Sequence, residues 1–325
     1  MMTSCQPKSD SKQVVVYISV DQVYAEPLVK KFEQQSGIQV LPVYDVEATK
    51  TTGLVNRIMA EKDHPRADVY WSGEFAQTML LKDEGLLAVF QPDQAADLPI
   101  QYRDHQGYWT AFAGRARILL VNNNLVPADQ MPSSILDLIE STIAPDKIGI
   151  AYPLFGTTAT HAAALYAYWG SKTAKAYYGQ LAENGIRIVD GNSVVRDLVV
   201  NGELAFGITD TDDACRAIEE GKPVSMIFPD QWADQPGVLV IPNTVAMVAG
   251  GPNPQQAGEF IDFLTSMEVE QYLVDSGWSQ FPLRPVDRPP SCGGGPQIKS
   301  MNTNLEAIYQ MYETSKQDLT EIFVR

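Results

Sequence analysis

Short apolar runs alternate with longer stretches of helical spacing along most of this chain. The run VVVYISV at 14–20 is rich in β-branched residues and predicts a strand buried on both faces. A polar turn at Asp21 follows, and Pro27 predicts the opening of a helix that carries Leu28, Val29 and Phe32 at helical spacing and ends at Gly37. Further strands are predicted at 38–44, 67–71, 108–122, 148–152, 186–189, 204–208, 224–228, 238–241 and 244–248. Helices are predicted near 54–59, at 133–143, 162–169, 173–184, 212–220, 254–265, 268–276 and 304–316. The alternation predicts an α/β fold.

The run LAFGITDTDDA at 204–214 organises this pattern, because a buried strand ends there in a turn that carries Asp210, Thr211, Asp212 and Asp213. A single Asp at this point would cap the following helix. Three like charges within four residues repel each other, and in open α/β sheets ligands bind beyond the carboxyl ends of strands, so a ligand-facing role is expected. Asp21 and Glu74 lie at the same kind of strand-to-helix junction, which points to a single crevice.

Other candidate groups surround that crevice. The loop DVEATKTTG at 45–53 is either a capping segment or a ligand loop, with Lys50 and Thr51 suited to an anion and Asp45 or Glu47 to a cation. Thr157 and Thr158 follow a glycine at a predicted helix start, and Asn192 and Ser193 open another; backbone N–H groups there can cradle an anion. Arg115 and Arg117 are two apart in an apolar strand and share a face, from which one could reach the crevice or pair with an acid.

Composition narrows the function. At 325 residues and 45% hydrophobic the chain is long enough for two lobes, and its net charge of -16 argues against nucleic acid or an anionic membrane surface as partner. Cys5, Cys215 and Cys292 are too few and too dispersed to suggest a disulfide framework or a thiolate metal site, and the three histidines are scattered. Apart from Cys5 and the residues beside it, nothing suggests the membrane: no run of 18 apolar residues occurs. Small residues precede Cys5 and a polar tether runs to Lys12, which resembles the end of a bacterial lipoprotein signal peptide; lipid on Cys5 and a place outside the cytoplasm would follow.

Five phrases in register, FEQQSGIQV, ADVYWSGEFAQTMLLKDEGLL, GRARILLVN, VVNGELAFGI and FIDFLTSMEVEQYLV, resemble the solute-binding proteins of ABC importers in the branch containing the ferric-iron-binding proteins. The resemblance spans about 270 residues. It implies a type II periplasmic-binding fold of two α/β lobes joined by two hinge strands. A tether at 1–12 would precede a first lobe built from 13–113 and 244–290; residues 114–243 would form the second lobe, on which the C-terminal loop and helix at 291–325 pack. It further implies a monomer that captures a small solute and delivers it to a permease and ATPase. Ferric-binding relatives place a His, a Glu and a Tyr pair where this chain has Asp21, Glu74 and Thr211-Asp212. A hard cation held by Glu74 and Asp212 with a synergistic anion is the first expectation for the cargo, and a sugar phosphate or aminophosphonate the alternative. No cofactor is expected beyond that cargo. An enzyme using Asp210 or Asp212 as acid or base is the rival class, but no nucleophile elbow, metal-ligand helix or Ser-His-Asp arrangement supports it.

Overall fold

The computed structural model describes residues 12–20, 22–45, 53–295, 297–302 and 304–324. Its strands are β1 (Gln13–Ile18), β2 (Gln39–Tyr44), β3 (Val69–Ser72), β4 (Leu87–Ala88), β5 (Thr110–Asn122), β6 (Ile148–Ala151), β7 (Arg187–Val189), β8 (Phe206–Asp210), β9 (Val224–Ile227) and β10 (Val240–Val248). They hydrogen-bond in the order β2-β1-β3-β10-β5-β8-β6-β7, with β4 on β10 and β9 on β5. In the first lobe β1 runs parallel to β2 and β3. In the second, β6 runs parallel to β7 and β8. Helices cover the faces of such strands, which explains their unbroken apolar runs.

The long strand β5 belongs to both halves. Its first part pairs with β10, from Thr110 to Ala116, and its last part with β8 and β9, from Arg117 to Asn122. The β5–β10 register slips between Pro242 and Asn243, opposite Ala113, whose φ of 45° lies in the left-handed region. The Glu270 carboxylate accepts from Ala113 N–H at 2.9 Å and Asn243 Nδ2 donates to the Ala113 carbonyl at 3.1 Å, so side chains replace the ladder bonds that the bulge removes. The same slip accommodates Pro242, and the strands predicted at 238–241 and 244–248 join into one.

Several other boundaries differ. Pro27 lies inside the helix Gln22–Ser36 instead of opening it. The helix predicted at 133–143 shrinks to Asp137–Glu140, because Asp137 Oδ2 accepts from Ser133 and Ser134 N–H at 2.7 and 2.9 Å and closes a capped turn. The final helix is two, Leu305–Gln310 and Tyr312–Phe323.

Two sequence expectations need correction. The lobes are tied by more than β5 and β10, because the stretch from Phe281 to Met301 forms a third passage. It starts in the first lobe, where Arg284 pairs with Asp97 at 2.7 Å, and reaches the second, where Met301 N–H donates to the Val238 carbonyl at 2.9 Å. The last helix then packs on the helices Gly156–Trp169 and Ser171–Asn184. In the middle of that passage Cys292 is disulfide-bonded to Cys215, on the helix Thr211–Glu219. Two cysteines 77 residues apart carry no pairing signal in sequence; the return of the chain past the hinge brings them together.

Closing a loop of 77 residues should stabilise the fold by about 4.5 kcal/mol on the chain-entropy model. Urea unfolding of the Cys215→Ser/Cys292→Ser variant is expected to show a loss of that order, whereas an unchanged midpoint would remove the disulfide from the stability account.

Candidate functional site

The parallel strands β6, β7 and β8 end at the same edge, and each feeds a helix: Gly156–Trp169, Asn192–Val200 and Thr211–Glu219. Three helix starts therefore meet beside the crossing strand β5. Gly156, at φ 55°, supplies the left-handed residue at the start of the first. In the antiparallel β5–β8 ladder Arg117 stands directly opposite Asp210, so their side chains leave the sheet on one face.

Arg117 is 0% exposed. Its Nη1 donates to Asp210 Oδ1 at 2.7 Å, Asn192 Oδ1 at 2.9 Å and Thr157 Oγ1 at 3.1 Å; Nη2 donates to Thr158 Oγ1 at 3.3 Å. The Thr157 hydroxyl and Asn192 Nδ2 both donate to Asp210 Oδ2, at 2.7 and 3.2 Å. Burial works to raise the Asp210 carboxyl, but Arg117, Arg115 and the Thr157 hydroxyl outweigh it and hold it below the usual range. Asp210 occupies the N-cap position of the third helix yet makes no capping bond, because its oxygens are already engaged.

Arg115, two residues earlier, points to the same side but is partly exposed. Its Nη1 donates to the Gly73 carbonyl of the first lobe at 2.9 Å, while Nε stays 3.7 Å from Asp210 Oδ2. Beside Gly73, buried Glu74 accepts from the N–H groups of Ala76 and Gln77 at 3.3 and 3.4 Å. Burial raises its pKa, and those amides, Arg115 and the Thr160 hydroxyl offset part of the rise. Thr160 belongs to the second lobe and shares a 2.9 Å hydrogen bond with Tyr312 of the last helix. Both lobes thus meet around Arg115 and Glu74.

The structure gathers Arg115, Thr157, Thr158, Asn192 and Asp210, with Glu74 across the crevice. Thr211 is directed elsewhere: its hydroxyl accepts from Ala116 N–H at 3.1 Å and anchors the third helix to β5. Asp213 accepts from Thr209 at 2.8 Å and pairs with Arg196 at 3.1 Å; burial and the neighbouring Asp212 push its carboxyl up to about 7. Asp212 is exposed on the first helical turn, and Ser193 is exposed outside the network. Asp21, Lys50, Thr51 and Cys5 lie outside the described residues. The sequence left open which of Arg115 and Arg117 would reach the crevice and which would pair with an acid, and Thr160 and Tyr312 were not among the candidates. Arg117 was detectable, since an arginine in an apolar strand needs a buried partner; nothing in the sequence links Tyr312 to Thr160.

Replacing Asp210 by Asn leaves a buried guanidinium without its counter-charge and should cost about 3 to 5 kcal/mol in urea unfolding. A change below 1 kcal/mol would demote the pair. A second test concerns His161, whose pKa burial and Arg117 lower to about 3. It stays neutral in the fold and takes up a proton on unfolding, so its contribution is complete above pH 6.5 and lost as pH falls towards 3. Comparing wild type with His161→Gln, the unfolding free energy of wild type should fall more steeply between pH 6.5 and 4; parallel curves would contradict this.

Residues 19–271 match the family model of the bacterial extracellular solute-binding proteins. Iron uptake protein A1 of Synechocystis sp. is 24% identical over 314 residues, covering 92% of this chain and 84% of the relative. A periplasmic protein of Salmonella typhi, provisionally named for 2-aminoethylphosphonate binding, is 25% identical over 236 residues, covering 71% of this chain and 66% of the relative. The fold is similar to that of a Trichodesmium protein solved with iron and citrate, at TM-score 0.83 and 20% identity, with 96% of this chain and 100% of that one covered. The chain belongs to the bacterial extracellular solute-binding protein family, the solute-capturing components of ABC importers.

Proposed function

We propose that the captured solute is a small organic phosphate or phosphonate whose charged oxygens are held by Arg115 and the hydroxyl-rich helix starts at Thr157 and Asn192. One observation carries this reading: Arg115 is the partly exposed guanidinium in the crevice, while the strand-end carboxylate nearest to it, Asp210, is already taken by Arg117, Thr157 and Asn192. Anionic oxygens meet a cation and oriented N–H groups there, the pairing that favours bidentate recognition by arginine. Capture without turnover is the role we assign, in keeping with the binding-protein names of the relatives. The receptor would hand its solute to a permease, from a lipid anchor if Cys5 is modified.

A hard cation with an accompanying anion is the second reading. Glu74 and Asp212 both feel the charge of Arg115, so the two carboxylates flank one region, and iron gives several relatives their names. Among the described residues, however, no three His, Cys, Asp or Glu side chains converge on a point that could hold a metal ion.

Calorimetry with two variants separates the readings. Arg115→Met should weaken phosphonate binding by about 1.5 to 3 kcal/mol, the scale of a hydrogen bond to a charged group. Asp212→Asn should abolish binding of ferric ion supplied with citrate if the second reading holds. Wild-type phosphonate affinity in Arg115→Met would sink the first.

A further inference from the structure

The segment that carries Cys292 is seated on the first lobe on both sides of that cysteine. Before it, Leu283 N–H donates to the Glu270 carboxylate at 2.9 Å, and Arg284 pairs with Asp97 at 2.7 Å. Arg288 is then fastened to the helix Met267–Asp275 three times over. Its N–H donates to Gln271 Oε1 at 3.0 Å, its carbonyl accepts from Gln271 Nε2 at 3.1 Å, and its guanidinium pairs with Asp275. After the cysteine, Gly294 N–H donates to the Gln280 carbonyl at 3.0 Å. Gly293, at φ 121°, lies so close to the same carbonyl that a Cβ there would collide with it. Gln280 is itself part of the first lobe: its Nε2 donates to the Gly277 carbonyl, and the N–H groups of Trp278 and Ser279 donate to the Leu273 carbonyl of that same helix.

Cys215 belongs to the other lobe. It is buried on the helix Thr211–Glu219, which packs on β8 and β9 and is pinned to β5 by the bond from Ala116 N–H to the Thr211 hydroxyl. The disulfide therefore joins a segment seated on one lobe to a helix of the other. Its reach is short. Only Pro289, Pro290 and Ser291 separate Arg288 from Cys292, a span of at most about 14 Å that two consecutive prolines stiffen. Gly294 is at most about 7 Å from Cys292 on the other side. The two cysteine Cα atoms lie 5.6 Å apart, so Cys215 stays within about 13 Å of a residue bonded to the first lobe.

A cavity of about 350 Å³ lies beside the bond, with Asp212 and Glu219 on one side, Asp275 and Gln280 on the other, and Cys215 and Ser291 in its lining. Bending at β5 and β10 alone would widen that gap. A disulfide that served stability alone would gain the same loop-closure entropy from two cysteines of one lobe, because that entropy depends on loop length and not on where the ends lie. Placement across the lobes adds a restraint on their movement.

We infer that the Cys215–Cys292 disulfide is an interlobe clamp, which limits how far the lobes separate and makes solute exchange proceed through a partial opening. The inference does not depend on which solute is captured. Breaking or slackening the clamp widens the opening.

Double electron–electron resonance on the ligand-free protein tests this, with spin labels at Asp63→Cys on the first lobe and Lys172→Cys on the second, both exposed, in a Cys5→Ser background. Two variants are compared with the labelled parent. In one, Cys215 and Cys292 are replaced by Ser. In the other, Gly-Ser-Gly-Ser is inserted between Pro290 and Ser291 and again between Cys292 and Gly293, which keeps the disulfide and adds about 13 Å of reach on each side. The parent should show one short interlobe distance, and both variants an added population at longer distance. The insertion variant retains the covalent bond, so it decides the matter even if Cys215→Ser/Cys292→Ser unfolds. A distance distribution in the insertion variant that superimposes on the parent's overturns the clamp, as does a parent-like distribution in a folded Cys215→Ser/Cys292→Ser protein.

Discussion

A guanidinium removed from water must find acceptors for its N–H groups, and the way Arg117 finds them shapes the second lobe. Desolvating an ion of this kind costs several kcal/mol, which only a well-placed counter-charge and further hydrogen bonds can offset. The β5–β8 register puts Asp210 opposite it, and two helix starts contribute Thr157, Thr158 and Asn192. These residues sit on, or directly before, three strand-to-helix connections. The ion pair therefore ties β5, β6, β7 and β8 at their common edge, where helix dipoles and free amides also gather. Arg117 Nε stays buried without a partner, so even this network leaves one donor unmatched.

That arrangement separates structural charges from accessible ones. Arg117 and Asp210 neutralise each other below the surface, which leaves Arg115 as a partly exposed cation one pleat nearer the first lobe. Its bond to the Gly73 carbonyl spans the gap between lobes, and Glu74 meets Thr160 beside it. A solute entering here would compete with contacts that already join the lobes, so binding and closure act on the same groups.

Three passages of chain and one disulfide constrain that closure. β5 and β10 cross at a bulge around Ala113 and Pro242, where side chains of Glu270 and Asn243 replace ladder bonds. The third passage holds the last helix against the second lobe, and Cys292 anchors it to the helix that carries Asp212. Movement of the lobes must therefore shift the helix that carries Asp212 as well as the groups around Arg115.

Much of the fold was legible in the chain itself. Apolar runs of four to eight residues separated by helical spacing determine an α/β architecture locally, because burial on two faces and turn chemistry are properties of neighbouring residues. Junction residues such as Glu74, Thr157 and Asn192 could be picked out for the same reason: strand ends and helix starts are local events. Pairings across large sequence separation were not legible. Whether Asp210 caps its own helix or meets Arg117, 93 residues away, depends on strand register. The Cys215–Cys292 bond and the Thr160–Tyr312 contact depend on where the C-terminal passage returns. Sequence determined which groups stand at the strand ends; only the tertiary structure decided which of their charges cancel and which face the crevice, because desolvation and partner geometry are set by distant segments meeting in space.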